Sequence, residues 1–78
     1  MAHLDVRDLM ARGEEPFAAI MAAVSALSPG EPLELVAPLD PVPLYSVMEA
    51  RGYGHETEDL GEGDFRVVFS PVETQVDG

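Results

Sequence analysis

The chain contains no cysteine. This absence excludes disulfide bonds, thiolate metal ligands, cysteine nucleophiles and persulfide carriage, because each of these requires a thiol. Tryptophan is also absent and only 6% of the residues are aromatic, so aliphatic side chains must make up most of the core. With 78 residues, the chain is long enough for one domain with one modest core, and we expect its ordered part to run from about residue 3 to residue 71.

Lysine is missing as well, so four arginines oppose fifteen Asp and Glu residues, and the formal net charge is -11. Proteins bind nucleic acids by neutralising phosphates with Lys and Arg, so this charge argues against a nucleic-acid partner. Anionic membrane surfaces are disfavoured for the same reason. Two interpretations of the acidic surface remain: it keeps a small domain soluble and monomeric, or it binds a cation or a basic protein.

Long apolar runs are also lacking. The longest run, from Pro16 to Leu27, is shorter than the roughly 20 residues that a membrane-spanning helix requires. The initial segment MAHLDVRDLMARGEE is charged throughout, whereas a secretory signal peptide has a basic start followed by an apolar segment. We therefore expect a cytoplasmic protein that does not associate with membranes.

The first half of the chain shows strand and helix patterns in turn. His3 to Leu9 alternates apolar and polar residues, which predicts a short strand, followed by a loop over residues 10–13. Pro16 suits the first turn of a helix, and an apolar stripe at helical spacing follows it until residues 28–30, SPG, end the helix. Residues 32–37, PLELVA, predict a second strand.

The second half begins with another helix. Asp40 followed by Pro41 predicts an N-cap side chain and then a proline at the first helical position, and Arg51 and Gly52 predict the helix end. Residues 53–60 predict a weak acidic strand, residues 61–64 a turn, and residues 65–70, FRVVFS, a strong strand. Residues 72–78 are expected to fray.

The predicted order of elements is therefore β-α-β-α-β-β. A strand, a helix and a strand in succession favour a parallel pair with a right-handed crossover, and the last two strands favour an antiparallel hairpin. These pairings predict an α+β fold, a two-layer α/β sandwich in which two helices cover one face of a mixed four-stranded sheet.

Three segments also carry a resemblance to a known family: LDVRDL at residues 4–9, SALSPGEPLELV at residues 25–36, and LDPVPLY at residues 39–45. At these spacings the chain resembles a small bacterial family of unknown function that is itself similar to the TusA and SirA sulfur-relay domains. The match runs from about Leu4 to Phe69. The resemblance implies a single TusA-like domain over residues 1–78, with the TusA/SirA-like sandwich fold.

The chain departs from that pattern at the residues that would carry chemistry. TusA-type proteins have a Cys-Pro-x-Pro motif at the start of the first helix, where the helix N-terminus lowers the pKa of the thiol. Aligned on Pro16, this chain has Gly13 at the cysteine position and Glu14 at the first proline. Members of the uncharacterised family resemble one another in two histidines, but Glu15 and Leu39 occupy those positions here, so any paired-histidine metal site would be incomplete.

A metal or enzyme site has few candidate residues. His3 and Asp5 share a strand face, and Glu15 is expected at the same end of the sheet, so these three could carry a metal ion or ligand. The alternative is that His3 simply faces solvent, since it and His55 lack a spacing typical of ligand pairs. No serine elbow, facing pair of carboxylates or phosphate-binding loop is present. We therefore expect no enzyme activity and no cofactor.

Charged residues at the end of the first strand and at both predicted helix starts remain as a candidate partner-binding surface. They are Arg7, Asp8, Arg12, Glu14, Glu15 and Asp40, together with Pro41 and Tyr45. Two interpretations stay open: the arginines form ion pairs while the acids complement the helix dipoles, or this edge docks another protein, with Tyr45 as an aromatic anchor.

These observations predict a non-catalytic, TusA-like accessory or protein-interaction module. Its connection with a redox, metal or sulfur-handling partner rests on the resemblance alone. The alternative function is a small carrier of a metal ion or ligand that uses His3, Asp5 and nearby carboxylates. Charge repulsion favours a monomer, while a free edge strand leaves a dimer open.

Overall fold

Residues 1–72 are described by a computed structural model of the chain. They form a mixed four-stranded sheet with three helices, so the predicted α+β class is confirmed. In chain order the elements are β1 (Ala2–Asp5), α1 (Arg7–Ala11), α2 (Pro16–Ser25), β2 (Leu33–Ala37), α3 (Val42–Ala50), β3 (Tyr53–Gly61) and β4 (Asp64–Pro71). Residues 73–78, for which fraying is predicted, lie outside the described residues.

The sheet has the strand order β1-β2-β4-β3. β1 runs parallel to β2, and β4 pairs antiparallel with both β2 and β3. The predicted parallel pair and the predicted hairpin of the last two strands are both confirmed. Because β4 lies between β2 and β3, its side chains reach the centre of the sheet on both faces.

The core lies on one face of this sheet. Alternate residues of the two central strands point into it, and their registers place Leu33 opposite Phe69 and Leu35 opposite Val67. The longer helices α2 and α3 cover this face, as predicted, and contribute four buried residues: Ile20, Val24, Leu44 and Met48. Aliphatic side chains therefore fill most of the core, with Phe69 as its one fully buried aromatic residue among residues 1–72.

The first strand ends earlier than the alternation predicts. It stops at Asp5, and the five-residue helix α1 replaces residues 7–9 of the predicted strand and residues 10–11 of the predicted loop. The carboxylate of Asp5 accepts a hydrogen bond from the backbone N–H of Arg7 at 3.0 Å, which turns the chain out of the sheet. Val6 is then buried in the core, where its N–H still bonds to the carbonyl of Val36.

The start of α3 also differs from the prediction. Asp40 is not its N-cap, because the helix begins at Val42 and Pro41 occupies the cap position without a side-chain hydrogen bond. The Asp40 carboxylate instead accepts a hydrogen bond from the Tyr45 hydroxyl at 2.6 Å. A carboxylate engaged with the side chain of residue 45 is not available to cap the backbone of the first turn.

β3 and β4 are joined by a two-residue turn. Glu62 and Gly63 have positive φ angles of 58° and 85°, as both central residues of a type I′ turn require. The register passes from Asp59 opposite Phe65 to Gly61 opposite Asp64, which leaves Leu60 as an extra residue in β3. The turn predicted at residues 61–64 is confirmed, and the bulge beside it was not predicted.

Charged residues of all four strands occupy the second face of the sheet, which no described helix covers. Glu34 of β2 pairs with His3 of β1 and, at 3.5 Å, with Arg66 of β4, and Arg66 also pairs with Glu58 of β3. These contacts tie the four strands together on the solvent side. No helix within residues 1–72 is both long and apolar enough to cross a membrane.

Candidate functional site

An apolar cleft opens at the end of the sheet where β1 and β2 finish and the helices begin. Its volume is about 150 Å³, and its exposed lining is entirely apolar. An apolar cavity of roughly this volume holds one benzene molecule in an engineered protein. The lining residues come from the three helices, from the last residue of β2, and from the segments after β1 and before α3: Val6, Met10, Pro16, Phe17, Ile20, Ala37, Leu39, Pro41, Pro43 and Leu44.

The cleft has a buried floor and an exposed mouth. Val6, Ile20 and Leu44 are at most 5% exposed and belong to the core. At the mouth, Phe17 is 43% exposed and Leu39 is 42% exposed. These two large, exposed side chains border an opening that leads to the core, the kind of apolar patch that marks interaction sites.

Glu15 caps the start of α2. Its two carboxylate oxygens accept hydrogen bonds from the backbone N–H groups of Phe17, at 2.6 Å, and Ala18, at 3.0 Å. Pro16, at the first helical position, has no N–H group. The glutamate therefore satisfies the first-turn donors and also places a negative charge at the positive end of the helix dipole.

At the start of α3, backbone carbonyls accept the hydrogen bonds of the first N–H groups. The N–H of Val42 donates to the carbonyl of Asp40 at 2.8 Å, and the N–H of Leu44 donates to the carbonyl of Pro41 at 2.9 Å. Pro43 between them has no N–H group. Within the described chain, neither of the two long helices thus offers a first-turn N–H group to a bound anion, although both begin beside the cleft.

Arg12, which follows α1, is held by two carboxylates. It pairs with Asp8, one turn earlier on α1, and with Glu14 at 3.1 Å in the loop before α2. The hydrogen bond to Glu14, followed by the charges of Glu14 and Asp8, raises the pKa of the Arg12 guanidinium above its ordinary value. All three side chains are exposed, so the pairs are screened by water and contribute little to stability.

Arg7 is held in the same way on the far side of α1. It pairs with Asp5 at 2.8 Å and with Asp64 of β4 at 3.1 Å. The hydrogen bond to Asp5, and then the bond to Asp64, raise the pKa of Arg7, while the bonds from Arg7 lower the pKa of Asp5. The predicted ion pairs are therefore present. No charged residue lines the cleft itself.

Tyr45 lies beside β3 and is not among the residues that line the cleft. Its ring stacks on His55 of β3, with ring centroids 3.7 Å apart and planes 5° apart. Its hydroxyl donates to Asp40 and lies 2.5 Å from the hydroxyl of Thr57. Burial, and then the hydrogen bond to Asp40, raise the pKa of Tyr45. The tyrosine thus fixes α3 and the loop before it against the sheet.

The three residues named for a metal site are not brought together. His3 and Asp5 do share the solvent face of β1, as predicted, but His3 pairs with Glu34 and Asp5 pairs with Arg7. Glu15 is occupied by the backbone of α2. Among residues 1–72, no group of three His, Cys, Asp or Glu side chains is arranged to hold a metal ion.

Of the residues predicted for partner binding, one lies in the lining of the cleft and five lie close to the lining along the chain. Pro41 lines the cleft, and Asp8, Arg12, Glu14, Glu15 and Asp40 each lie within two residues of a lining residue in the sequence. Sequence reasoning missed the apolar lining itself. The sequence does carry a signal for α1, which contributes Met10 to the lining: Asp8 and Arg12, like Val6 and Met10, stand at the i,i+4 spacing of a helix.

The comparisons with known proteins identify a family. The model of the family described as "Uncharacterized conserved protein (DUF2249)" matches residues 3–71. No curated protein and no solved structure matches the chain. The chain belongs to this uncharacterised conserved family, so that part of the predicted resemblance is confirmed, whereas the similarity to TusA and SirA and the bacterial origin stay predictions.

Proposed function

We propose that this DUF2249 family member is a non-catalytic protein-interaction module, and that the apolar cleft is where its partner docks. The observation that carries the proposal is the combination of an entirely apolar lining with two large, exposed side chains at the mouth, Phe17 and Leu39. Protein interfaces characteristically have an apolar centre surrounded by a polar rim, and a few anchors in such pockets supply most of the binding energy.

The polar groups around the cleft support binding more than catalysis. A catalytic acid, base or nucleophile has to reach the reacting atoms of a substrate. Here Glu15 caps a helix, Asp40 accepts from Tyr45, and Arg12 is shared between two carboxylates. These groups shape the surface around the cleft, and each already has a partner within the described residues.

The resemblance adds a more specific proposal. Gly13 stands where TusA-like proteins carry their reactive cysteine, and it lies in the loop that leads into α2 beside the cleft. A TusA-like accessory role, with a redox, metal or sulfur-handling protein as the partner, would reuse this edge for docking after loss of the thiol. The carrier alternative has less support, because His3, Asp5 and Glu15 are engaged separately.

A matched pair of leucine variants tests the docking site. Leu39 at the cleft and Leu60 on β3 are 42% and 43% exposed, so Leu39→Ser and Leu60→Ser remove similar amounts of apolar surface. Tagged wild type and both variants are used to recover proteins from lysate of the native host, with quantification by mass spectrometry. We expect a specific protein that Leu60→Ser retains and that Leu39→Ser loses at least tenfold.

Circular dichroism and urea titration are used to check that both variants are folded. Phe17→Ser provides a second change at the mouth of the cleft and should reproduce the loss seen with Leu39→Ser. If every specifically recovered protein binds wild type, Leu39→Ser and Phe17→Ser equally, the cleft is not the docking site and the proposed function is wrong.

A further inference from the structure

We infer that the partner of the cleft presents one apolar side chain on a basic segment, with Lys or Arg residues on both sides of that anchor. This inference rests on the proposed function and specifies the chemistry of the partner. Two separate features support it, namely the size and apolar lining of the cleft and the excess of carboxylates around it.

The cleft fixes the nature of the anchor. Its volume of about 150 Å³ matches one ring or one branched aliphatic side chain, by comparison with the roughly 150 Å³ cavity that holds benzene. Buried carbon atoms of Val6, Ile20 and Leu44 form its floor. A polar or charged group placed there would lose its hydration without gaining a hydrogen bond, so the anchor is Leu, Ile, Met or Phe.

The surroundings of the cleft fix the charge of the flanking residues. Residues 8–15 and 39–43, which adjoin the lining along the chain, contain four carboxylates and one arginine, a local formal charge of -3. That arginine, Arg12, is already paired with Asp8 and Glu14. The uncompensated charge is therefore negative and attracts cations of a partner.

The helix starts argue against an acidic partner at the same place. A helix N-terminus normally attracts anions through its free N–H groups and its dipole. At α2 those donors are bonded to Glu15, whose own charge repels a second anion. At α3, Pro43 has no donor and Val42 and Leu44 donate to the backbone. An acidic segment would find neither hydrogen bonds nor a favourable field here.

A second copy of this chain is also a poor occupant. Each copy carries a formal charge of -11, and two identical acidic rims would face each other across a symmetric contact. A basic heterologous segment gains from the same charges that oppose self-association. Charge complementarity thus selects a different protein.

Selection from a random decapeptide display library against the full chain tests the inference. Peptides that also bind Leu39→Ser are removed, so the remaining ones depend on the cleft. We expect the selected sequences to share one Leu, Ile, Met or Phe flanked by at least two Lys or Arg residues. The affinity of the best synthetic peptide should fall as salt is raised, because exposed charge pairs are screened.

Neutralising the rim provides a quantitative arm. The double variant Asp8→Asn, Glu14→Gln removes two carboxylates and frees Arg12. We expect it to weaken binding of the peptide about fivefold, which is within the effect of exposed charge pairs on a binding equilibrium. Glu49→Gln is the control. Glu49 lies in α3 about 10 Å beyond the helix start, and its substitution removes one exposed carboxylate. It should change the affinity less than twofold.

The possible outcomes separate this inference from the proposed function. If the peptides that depend on the cleft are neutral or acidic, or if the rim variant binds as tightly as wild type, the basic segment is refuted while docking in the cleft stands. If no peptide depends on Leu39, the inference also fails. The proposed function is judged independently, by whether Leu39→Ser loses the protein that Leu60→Ser recovers from lysate.

Discussion

Glu14 and Glu15 are adjacent in the sequence, yet the structure predicts very different consequences for their loss. Glu15→Ala removes the acceptor of two backbone hydrogen bonds at the start of α2. Glu14→Ala removes one partner of Arg12, which keeps its contact with Asp8. The two variants delete the same charged side chain, so the comparison isolates the cap.

The magnitudes follow from the contacts. Loss of an N-cap side chain costs about 0.5–2 kcal/mol of unfolding free energy. Loss of a negative charge at the positive end of the helix adds about 0.3–1 kcal/mol. We therefore expect Glu15→Ala to cost about 1–3 kcal/mol, whereas the exposed pair lost in Glu14→Ala is expected to cost about 0–1 kcal/mol.

Urea denaturation followed by circular dichroism measures both changes. In a domain of this size, each kcal/mol lost lowers the melting temperature by about 4–8 °C, so thermal scans give a second readout. Glu15→Gln keeps a carbonyl acceptor without the charge and should fall between wild type and Glu15→Ala. Equal destabilisation by Glu14→Ala and Glu15→Ala would refute the assignment of the cap to Glu15.

Two further predictions concern Tyr45 and the turn between β3 and β4. Tyr45→Phe should cost about 0.5–1.5 kcal/mol, since it removes the hydrogen bond to Asp40. Because the folded protein raises the pKa of Tyr45, the stabilisation is complete below about pH 10, the ordinary pKa of tyrosine, and is lost as pH rises through the folded value. Urea midpoints measured from pH 8 to pH 11.5 should fall more steeply for wild type than for Tyr45→Phe, and parallel curves would contradict this. Glu62→Asn should raise the unfolding free energy by about 0.5–1 kcal/mol, because asparagine tolerates the positive φ of this turn better than glutamate; an unchanged or lower urea midpoint would count against it.

The parts of the fold that could be predicted are those where one physical rule acts alone. In β2 and β4, alternation assigns Leu33, Leu35, Val67 and Phe69 to one face, and all four are buried there. In α2, apolar residues at helical spacing and Pro16 give both the element and its first residue. Hydrophobic periodicity is read directly from the sequence, so these elements needed no tertiary information.

The prediction failed where a side chain had two possible partners. Asp40 before Pro41 fits an N-cap, but its carboxylate bonds to Tyr45, five residues later, because α3 packs against β3. Similarly, the strand is predicted over residues 3–9, although the alternation holds only through Arg7, and the Asp5 side chain turns the chain after β1. Competition between a local and a longer-range hydrogen bond is decided by packing, which the sequence alone does not show.

The candidate site shows the same division. The gathering of charged residues around the two helix starts could be predicted, since parallel strands bring their ends to one edge. The cleft could not, because its lining combines residues from three helices, the end of β2 and the segments after β1 and before α3, among them Met10 and Leu39, which belong to no predicted apolar stripe. Its shape depends on how those elements pack against one another.

The position of β4 in the sheet has a consequence for synthesis on the ribosome. β4 is the last of the four described strands in the chain, yet it lies between β2 and β3 and supplies Val67 and Phe69 to the core. Until residues 64–71 have left the exit tunnel, β2 lacks its antiparallel neighbour and Leu33 and Leu35 lack the side chains opposite them. The nascent chain therefore cannot close its core early, and folding must wait until translation has passed the final hairpin.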